Sequence, residues 1–202
     1  MSASSINTLY PVFFRLDQFK MLIVGAGEVG FEKLHFILKS SPNAKITLIA
    51  PEAKEDVFQL INSGKFNINW IQKKFDPSDI VDHKVVIAAT NFPNVNLEVY
   101  HAAKEKLRII NIADTPHLCD FYMGSIVTRG DLKVALSSNG KSPTLIKRFR
   151  QLLESVLPNS THDLLNNLHK LRDTLEGDFE YKVNTLNDVT KSLIAENEKE
   201  NS

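Results

Sequence analysis

Short apolar runs rich in β-branched residues alternate with longer amphipathic segments between residues 20 and 112. Five of these runs predict strands buried inside a sheet: 21–24, 45–49, 66–71, 85–89 and 108–111. In the intervening segments, around Phe31, Val57 and Val99, apolar residues recur three and four positions apart, which predicts helices. This order of strands and helices is typical of an α/β fold with a Rossmann-like parallel sheet.

The pattern changes after Asn111. Two apolar runs, 121–127 and 132–136, are joined by Thr128-Arg-Gly-Asp131 and predict a β-hairpin. From Ser142 onwards the spacing predicts a small C-terminal helical domain, with one helix ending near Pro158 and another beginning shortly after it. We therefore expect a Rossmann domain over residues 1–113, a hairpin segment over 114–144 and a helical domain over 145–202.

The composition of the chain excludes several classes of partner and site. Acidic and basic residues balance at 24 each in 202 residues, which argues against a nucleic-acid partner because the general positive field is missing. The single cysteine, Cys119, excludes an internal disulfide and any site of several thiolates, and we predict no metal site. Neither a long apolar span nor a basic and apolar leader is present, so we expect a cytoplasmic protein with no membrane partner.

The first predicted strand leads directly into Gly25-Ala-Gly-Glu-Val-Gly30, and a predicted helix follows. In this pattern Gly25 permits a tight turn, Gly27 lets the backbone approach a pyrophosphate, and Gly30 lets the helix pack closely. The N–H groups of the first helical turn then face the phosphates. The pattern predicts a dinucleotide site, and the alternative is a turn with a structural role only.

Two more segments reach the same edge of the predicted sheet. Ile49-Ala-Pro-Glu52 ends the second strand, where an acid commonly binds the ribose, although Glu52 lies a residue or two late. No arginine lies beside Glu52 to bind a 2′-phosphate, although Lys54 is near, so NAD is favoured over NADP. Ala88-Ala-Thr-Asn91 would line the nicotinamide half or form an ordinary turn capped by Asn91 or Asn94. The expected cofactor-binding residues are Gly25, Gly27, Glu28, Val29, Gly30, Pro51, Glu52, Thr90 and Asn91.

Candidate chemistry follows the fifth strand. Asp114, in Asn111-Ile-Ala-Asp-Thr-Pro116, is delivered to the edge where the cofactor binds and is a candidate base for a dehydrogenation. The alternative is that Asp114 begins an Asx-turn.

A second candidate is the anion-binding corner Leu136-Ser-Ser-Asn-Gly-Lys-Ser-Pro143, which a basic helix follows. It either binds a polyanionic ligand or is a solvated face. The candidate substrate-binding residues are Ser138, Lys141, Ser142 and Arg148.

The ordered set of these motifs resembles the precorrin-2 dehydrogenase and sirohydrochlorin ferrochelatase family, which includes the amino-terminal region of siroheme synthases. The resemblance covers about residues 9–158. It rests on Leu9-Tyr-Pro-Val-Phe, Leu22-Ile-Val-Gly-Ala-Gly-Glu-Val-Gly with Lys33, Ile49-Ala-Pro-Glu, Ala88-Ala-Thr-Asn, Asn111-Ile-Ala-Asp-Thr-Pro, Cys119-Asp-Phe and Leu136-Ser-Ser-Asn-Gly-Lys-Ser-Pro.

The resemblance implies NAD-dependent oxidation of precorrin-2 to sirohydrochlorin, a step towards siroheme, with Asp114 at the position of the proposed catalytic group. It also implies a homodimer paired through the hairpin region, and some members insert ferrous iron as a ferrochelatase, a lyase activity. The methyltransferase module of fused siroheme synthases has no counterpart in these 202 residues. A different class of function remains open, namely a dinucleotide-sensing regulatory domain without catalysis.

Overall fold

The structure is a computed structural model, and it describes residues 6–191. The chain forms two compact units, residues 1–124 and 125–202. The elements of the first unit are β1 (Lys20–Val24), α1 (Glu28–Ser40), β2 (Lys45–Ile49), α2 (Glu55–Asn62), β3 (Asn67–Ile71), β4 (His83–Ala88), α3 (Pro93–Glu105) and β5 (Ile109–Ile112). Short 3₁₀ turns span Pro77–Ile80 and Pro116–Leu118.

The five strands of the first unit form one parallel sheet in the order β3-β2-β1-β4-β5. This confirms the predicted Rossmann-like fold and its five strands, and only the strand ends differ by a residue or two. The order of connection reverses between β1 and β4. In open α/β sheets a ligand binds at such a reversal, beside the carboxyl ends of the strands.

Helices cover both faces of the sheet, which explains why its central strands are continuous apolar runs. Within β1, Met21 and Ile23 belong to the apolar core that includes Leu34 of α1. Leu22 and Val24 belong to the core on the other face, which includes Val99 of α3. Alternate residues of a strand point to opposite faces, so a strand buried on both faces needs an apolar residue at every position.

The outer side of β5 is covered by the segment 119–121 of the same chain. The Asp120 N–H donates to Ile110 O (2.8 Å), and the Ile110 N–H donates to Asp120 Oδ2 (3.0 Å). The Ile112 N–H donates to Cys119 Sγ (3.2 Å), and Asn111 Nδ2 donates to Phe121 O (2.9 Å). The chain therefore reverses between β5 and this segment, and Asp114 lies in the reversal.

The second unit is built from the hairpin of β6 (Ser125–Arg129) and β7 (Leu132–Leu136), and from the helices α4 (Pro143–Val156), α5 (Thr161–Thr174) and α6 (Phe179–Thr190). The predicted hairpin is confirmed, but its first strand begins at Ser125 and not at 121. Phe121 and Met123 instead pack against the core of the first unit, which explains why that apolar run is longer than the strand. The structure also contains α6, a helix that is not among the two predicted after Ser142.

None of the helices within residues 6–191 combines the length and the apolar character needed to cross a bilayer.

Candidate functional site

The glycine loop joins β1 to α1 at the carboxyl edge of the sheet. Gly25 has φ +109°, and a Cβ there would lie 2.4 Å from Ala89 O, so only glycine fits. A Cβ on Gly30 would lie 2.1 Å from Gly25 O. Gly30 therefore allows α1 to begin against the backbone of the turn that precedes it.

Gly27 differs from the other two glycines, because among residues 6–191 a Cβ there would meet only one atom within 4 Å, Asn91 Nδ2 at 3.9 Å. The space in front of Gly27 is thus open, and no protein packing explains the missing side chain. Gly27 is also the N-cap of α1, and no side chain caps the helix. An open approach to uncapped N–H groups suits a pyrophosphate, so these residues fit a dinucleotide.

Lys54 ties the loop after β2 to the glycine loop. Its N–H donates to Ala26 O (2.9 Å), and its ammonium group lies 2.5 Å from Glu28 Oε2 and 2.8 Å from Asp56 Oδ2. The hydrogen bonds of the ammonium group with Asp56, the larger effect, and with Glu28 raise the pKa of Lys54 above its ordinary value. The Glu28 side chain therefore faces Lys54. The group of Glu28 that could contact a phosphate is its backbone N–H.

Glu52 and Pro51 lie exposed directly after β2. The Pro51 carbonyl accepts a hydrogen bond from Gln72 Nε2 (3.0 Å), and the neighbouring Ala50 carbonyl accepts one from the Trp70 indole (3.1 Å). Residues of β3 and the segment after it thus hold the loop in place. Glu52 remains a proposed ribose ligand.

Thr90 belongs to a turn that Asn96 stabilises. Asn96 Oδ1 accepts from the N–H (3.1 Å) and the hydroxyl (2.7 Å) of Thr90, and Asn96 Nδ2 donates to Thr90 O (3.0 Å). The N-cap of α3 is Phe92, without a side-chain cap, so the predicted alternative of capping by Asn91 or Asn94 is wrong. Asn91 is exposed beside Gly27, as a cofactor ligand would need to be.

Asp114 follows β5 and is exposed, with φ +57°. Aspartate tolerates this left-handed conformation better than most residues do. The hydrogen bonds of the turn are made by Thr115, whose N–H donates to Ile112 O (3.4 Å) and whose hydroxyl donates to Ala113 O (3.2 Å). In the part of the chain that the structure describes, the alternative Asx-turn at Asp114 is therefore not formed.

The anion-binding corner of the second unit precedes α4. Ser138 Oγ accepts from the Ser142 N–H (3.1 Å), and Ser142 Oγ accepts from the Leu145 N–H (3.3 Å) as the N-cap of α4. Lys141 lies between them and is exposed, while the exposed Arg148 donates to Gln151 Oε1 (3.0 Å). The two serines thus have a structural role as hydrogen-bond acceptors.

Arg150, the last cation of the basic run, is paired with Glu154 at 2.5 Å. Across residues 6–191, the structure shows no group of three or more His, Cys, Asp or Glu side chains arranged to hold a metal ion.

Comparison with known proteins gives two family matches. Residues 12–125 match a family model described as "Putative NAD(P)-binding", and residues 129–155 match one described as "Sirohaem biosynthesis protein central". Among solved structures, one named "SirC, precorrin-2 dehydrogenase" matches with a TM-score of 0.71 and 23% identity. The match covers 90% of this chain and 89% of that one, and it supports the fold.

Curated relatives give the same picture. The siroheme synthase of Pseudoalteromonas atlantica is 34% identical over 90% of this chain, which corresponds to 37% of the relative. The siroheme synthase of Psychrobacter arcticus is 36% identical over 90% of this chain and 31% of the relative. The chain therefore spans about a third of the length of these relatives.

Proposed function

Because the chain belongs to the family of precorrin-2 dehydrogenases and siroheme synthase amino-terminal regions, with an NAD(P)-binding domain over residues 12–125, we propose that it oxidises precorrin-2 to sirohydrochlorin with NAD as oxidant. The observation that carries the proposal is the position of Asp114. Its exposed carboxylate follows β5, two strands from β1 and the glycine loop, at the same edge of the sheet. Neighbouring strands are spaced about 4.8 Å apart, which separates the ends of β1 and β5 by roughly 10 Å.

In this proposal Gly27 and the N–H groups of Glu28, Val29 and Gly30 hold the pyrophosphate. The bound NAD supplies the hydride acceptor. The Asp114 carboxylate accepts the proton that leaves the substrate as the hydride is lost. The turn that holds Asp114 is fixed on one side by β5 and on the other by the segment 119–121, so the backbone at Asp114 is held in place.

The proposed substrate contacts lie in the second unit. Precorrin-2 carries eight carboxylates, and the exposed cations Lys141 and Arg148, with the hydroxyls of Ser138 and Ser142, offer donors to them. We assign substrate contacts to the region 114–144 and the start of α4, and cofactor contacts to residues 1–113.

The test is to mix purified protein with NAD⁺ and precorrin-2 and to measure the formation of NADH by its absorbance. Asp114→Asn should lower the rate about 10²–10⁴-fold, the usual effect of losing a general base. Asparagine tolerates the left-handed conformation at this position, so the fold and NAD⁺ binding should persist. Asp82→Asn, an exposed position before β4, is the matched control.

Full turnover by the Asp114→Asn variant would remove Asp114 from the mechanism. NAD⁺ binding without any turnover by the unsubstituted protein would favour the alternative of a dinucleotide-sensing domain.

A homodimer is the proposed assembly. Four residues at spacings of four and three form an exposed apolar stripe on α4: Leu145, Phe149, Leu152 and Val156, with exposed fractions of 47–59%. A stripe of this kind is expected to be covered by another surface, and we propose a second copy. Phe149→Glu should then give a monomer by light scattering, whereas Lys147→Glu on the same helix should not. An unchanged mass for Phe149→Glu would refute this interface.

Insertion of ferrous iron into the product is a second proposed activity. Ferrous iron would be a second substrate, taken up by sirohydrochlorin while Asp114 accepts protons from the macrocycle. Adding Fe²⁺ to the completed NADH reaction tests this, because siroheme and sirohydrochlorin differ in absorbance.

The free thiol of Cys119 agrees with a reducing cytoplasm.

A further inference from the structure

The loop after β2 is where a Rossmann domain distinguishes NAD from NADP. An acid there binds the ribose 2′-hydroxyl of NAD, whereas a cation there accepts the 2′-phosphate of NADP. Residues 50–56 read Ala-Pro-Glu-Ala-Lys-Glu-Asp, so Lys54 is the one cation of this loop. The environment of Lys54 therefore decides which dinucleotide the loop can accept.

Three contacts fix the Lys54 side chain. Its ammonium group bridges Glu28 Oε2 (2.5 Å) and Asp56 Oδ2 (2.8 Å) and lies 5.5 Å from the centre of the Phe31 ring. Its ammonium is charged at neutral pH, as in an ordinary lysine, and the contacts with both carboxylates, that with Asp56 first, raise its pKa further. A third anion, such as a 2′-phosphate, would have to compete with two carboxylates already in contact.

The charge around Lys54 is negative overall. Glu28 and Asp56 outnumber it, and Glu52 and Glu55 add two exposed carboxylates within two residues along the chain. One positive charge thus stands against four negative ones. A phosphate dianion would be repelled here, whereas the neutral ribose hydroxyl of NAD would not.

We propose that the cluster of Glu28, Lys54 and Asp56 is the selectivity device of this domain, disfavouring NADP by occupying Lys54, the one cation within residues 50–56. The proposal deepens the proposed function, since it rests on dinucleotide binding and adds the residues that choose between two dinucleotides.

The test is calorimetric titration of the full chain with NAD⁺ and with NADP⁺. In the double variant Glu28→Gln/Asp56→Asn, Lys54 is released and two negative charges are lost. The affinity for NADP⁺ relative to NAD⁺ should rise about tenfold, allowing for solvent screening of an exposed cluster. Adding Lys54→Met to the double variant should abolish this gain.

The matched control is Glu55→Gln, which removes a charge from the same turn of helix without contacting Lys54; its carboxylate instead accepts from Gln59 Nε2 (3.2 Å). It should change the ratio less than about twofold. A gain of about threefold or more from this control, the share of one charge in a tenfold gain from two, or a gain that survives Lys54→Met, would show that general charge sets the ratio and would overturn the proposal.

The two proposals fail differently. If the unsubstituted protein binds neither dinucleotide, both fall. If it binds NAD⁺ and the double variant keeps the original ratio, the selectivity proposal is overturned and the dehydrogenase proposal stands. Retained NAD⁺ binding by the double variant shows that it is folded.

Discussion

Alanine at Gly27 and alanine at Gly30 should affect different properties, ligand binding and stability, although the two residues are three positions apart in one loop. At Gly27 the added methyl group would project into open space, with Asn91 Nδ2 at 3.9 Å as its nearest neighbour. At Gly30 it would lie 2.1 Å from Gly25 O and 2.8 Å from Gly25 C. Gly27→Ala should therefore weaken cofactor binding, and Gly30→Ala should weaken the fold.

The expected sizes follow from these distances. Carbon and oxygen pack no closer than roughly 3.3 Å, so Gly30→Ala must displace the Gly25 backbone by about 1.2 Å. Such overpacking costs ~1–3 kcal/mol, offset by up to ~1 kcal/mol because alanine is the better helix residue. A net loss of about 1–2 kcal/mol would lower Tm by roughly 3–6 °C.

For Gly27→Ala the backbone imposes little strain, because φ is −81°, a value that alanine adopts freely. Alanine is a poorer N-cap than glycine, and we expect a stability change of no more than ~0.5 kcal/mol. A methyl group between the helix N-terminus and the pyrophosphate should weaken NAD⁺ binding tenfold or more, equivalent to ~1.4 kcal/mol.

Thermal unfolding followed by circular dichroism and calorimetric titration with NAD⁺ measure the two effects on the same samples. An unchanged Tm for Gly30→Ala would mean that the loop and helix are not in the close contact described. An unchanged Kd for Gly27→Ala would mean that no phosphate approaches the chain at this point, and the dinucleotide site would have to lie elsewhere.

Three other substitutions test the surroundings of the site. Asn96→Ala removes three hydrogen bonds to Thr90 and should lower the free energy of unfolding by about 2–3 kcal/mol in urea titration; a loss below ~0.5 kcal/mol would contradict the contacts. Leu107 is 92% exposed and has a left-handed backbone, φ +54°, which is strained for leucine and not for glycine. Leu107→Gly should therefore raise the free energy of unfolding by about 1 kcal/mol and raise Tm, and a lower Tm would refute the assigned strain. Burial lowers the pKa of His83 below its ordinary 6.5, so the unfolded chain takes up a proton first as the pH falls. The free energy of unfolding should therefore fall below pH 6.5, and less so in His83→Gln, by urea titration at pH 7.5 and 5.5.

Much of the fold could be predicted because the sheet is buried on both faces. The bounds predicted for β2, 45–49, are those observed, since a strand covered on both sides is a mainly apolar run, interrupted here by Thr47, which is hydrogen-bonded to His83 Nε2. The missed helix α6 did carry a signal, Asp178 as a capping residue followed by Phe179 and Val183 at helical spacing. Its side chains are not buried, so its periodic pattern was weak.

The details of the site were harder to predict because they depend on contacts between distant residues. Lys54 was recognised as a nearby cation, but its partner Glu28 lies 26 positions away and only the folded chain brings them together. Asn96 was missed because it stabilises the turn from within α3, whereas turn signals are sought in the turn itself. The backbone roles of Gly25 and Gly30 could be predicted because they depend on local geometry, whereas the contact of Gly27 with a phosphate stays a prediction.

The segment 119–121 has a consequence for how this protein behaves at high concentration. The flank of a β-sheet normally presents free backbone groups to which a strand of a neighbouring molecule can add, and repeated addition leads to fibres. Here Asp120 already occupies the N–H and the carbonyl of Ile110, and Cys119 occupies the N–H of Ile112. Main-chain polymerisation through that flank is blocked, and molecules that meet there can recognise each other only through their side chains.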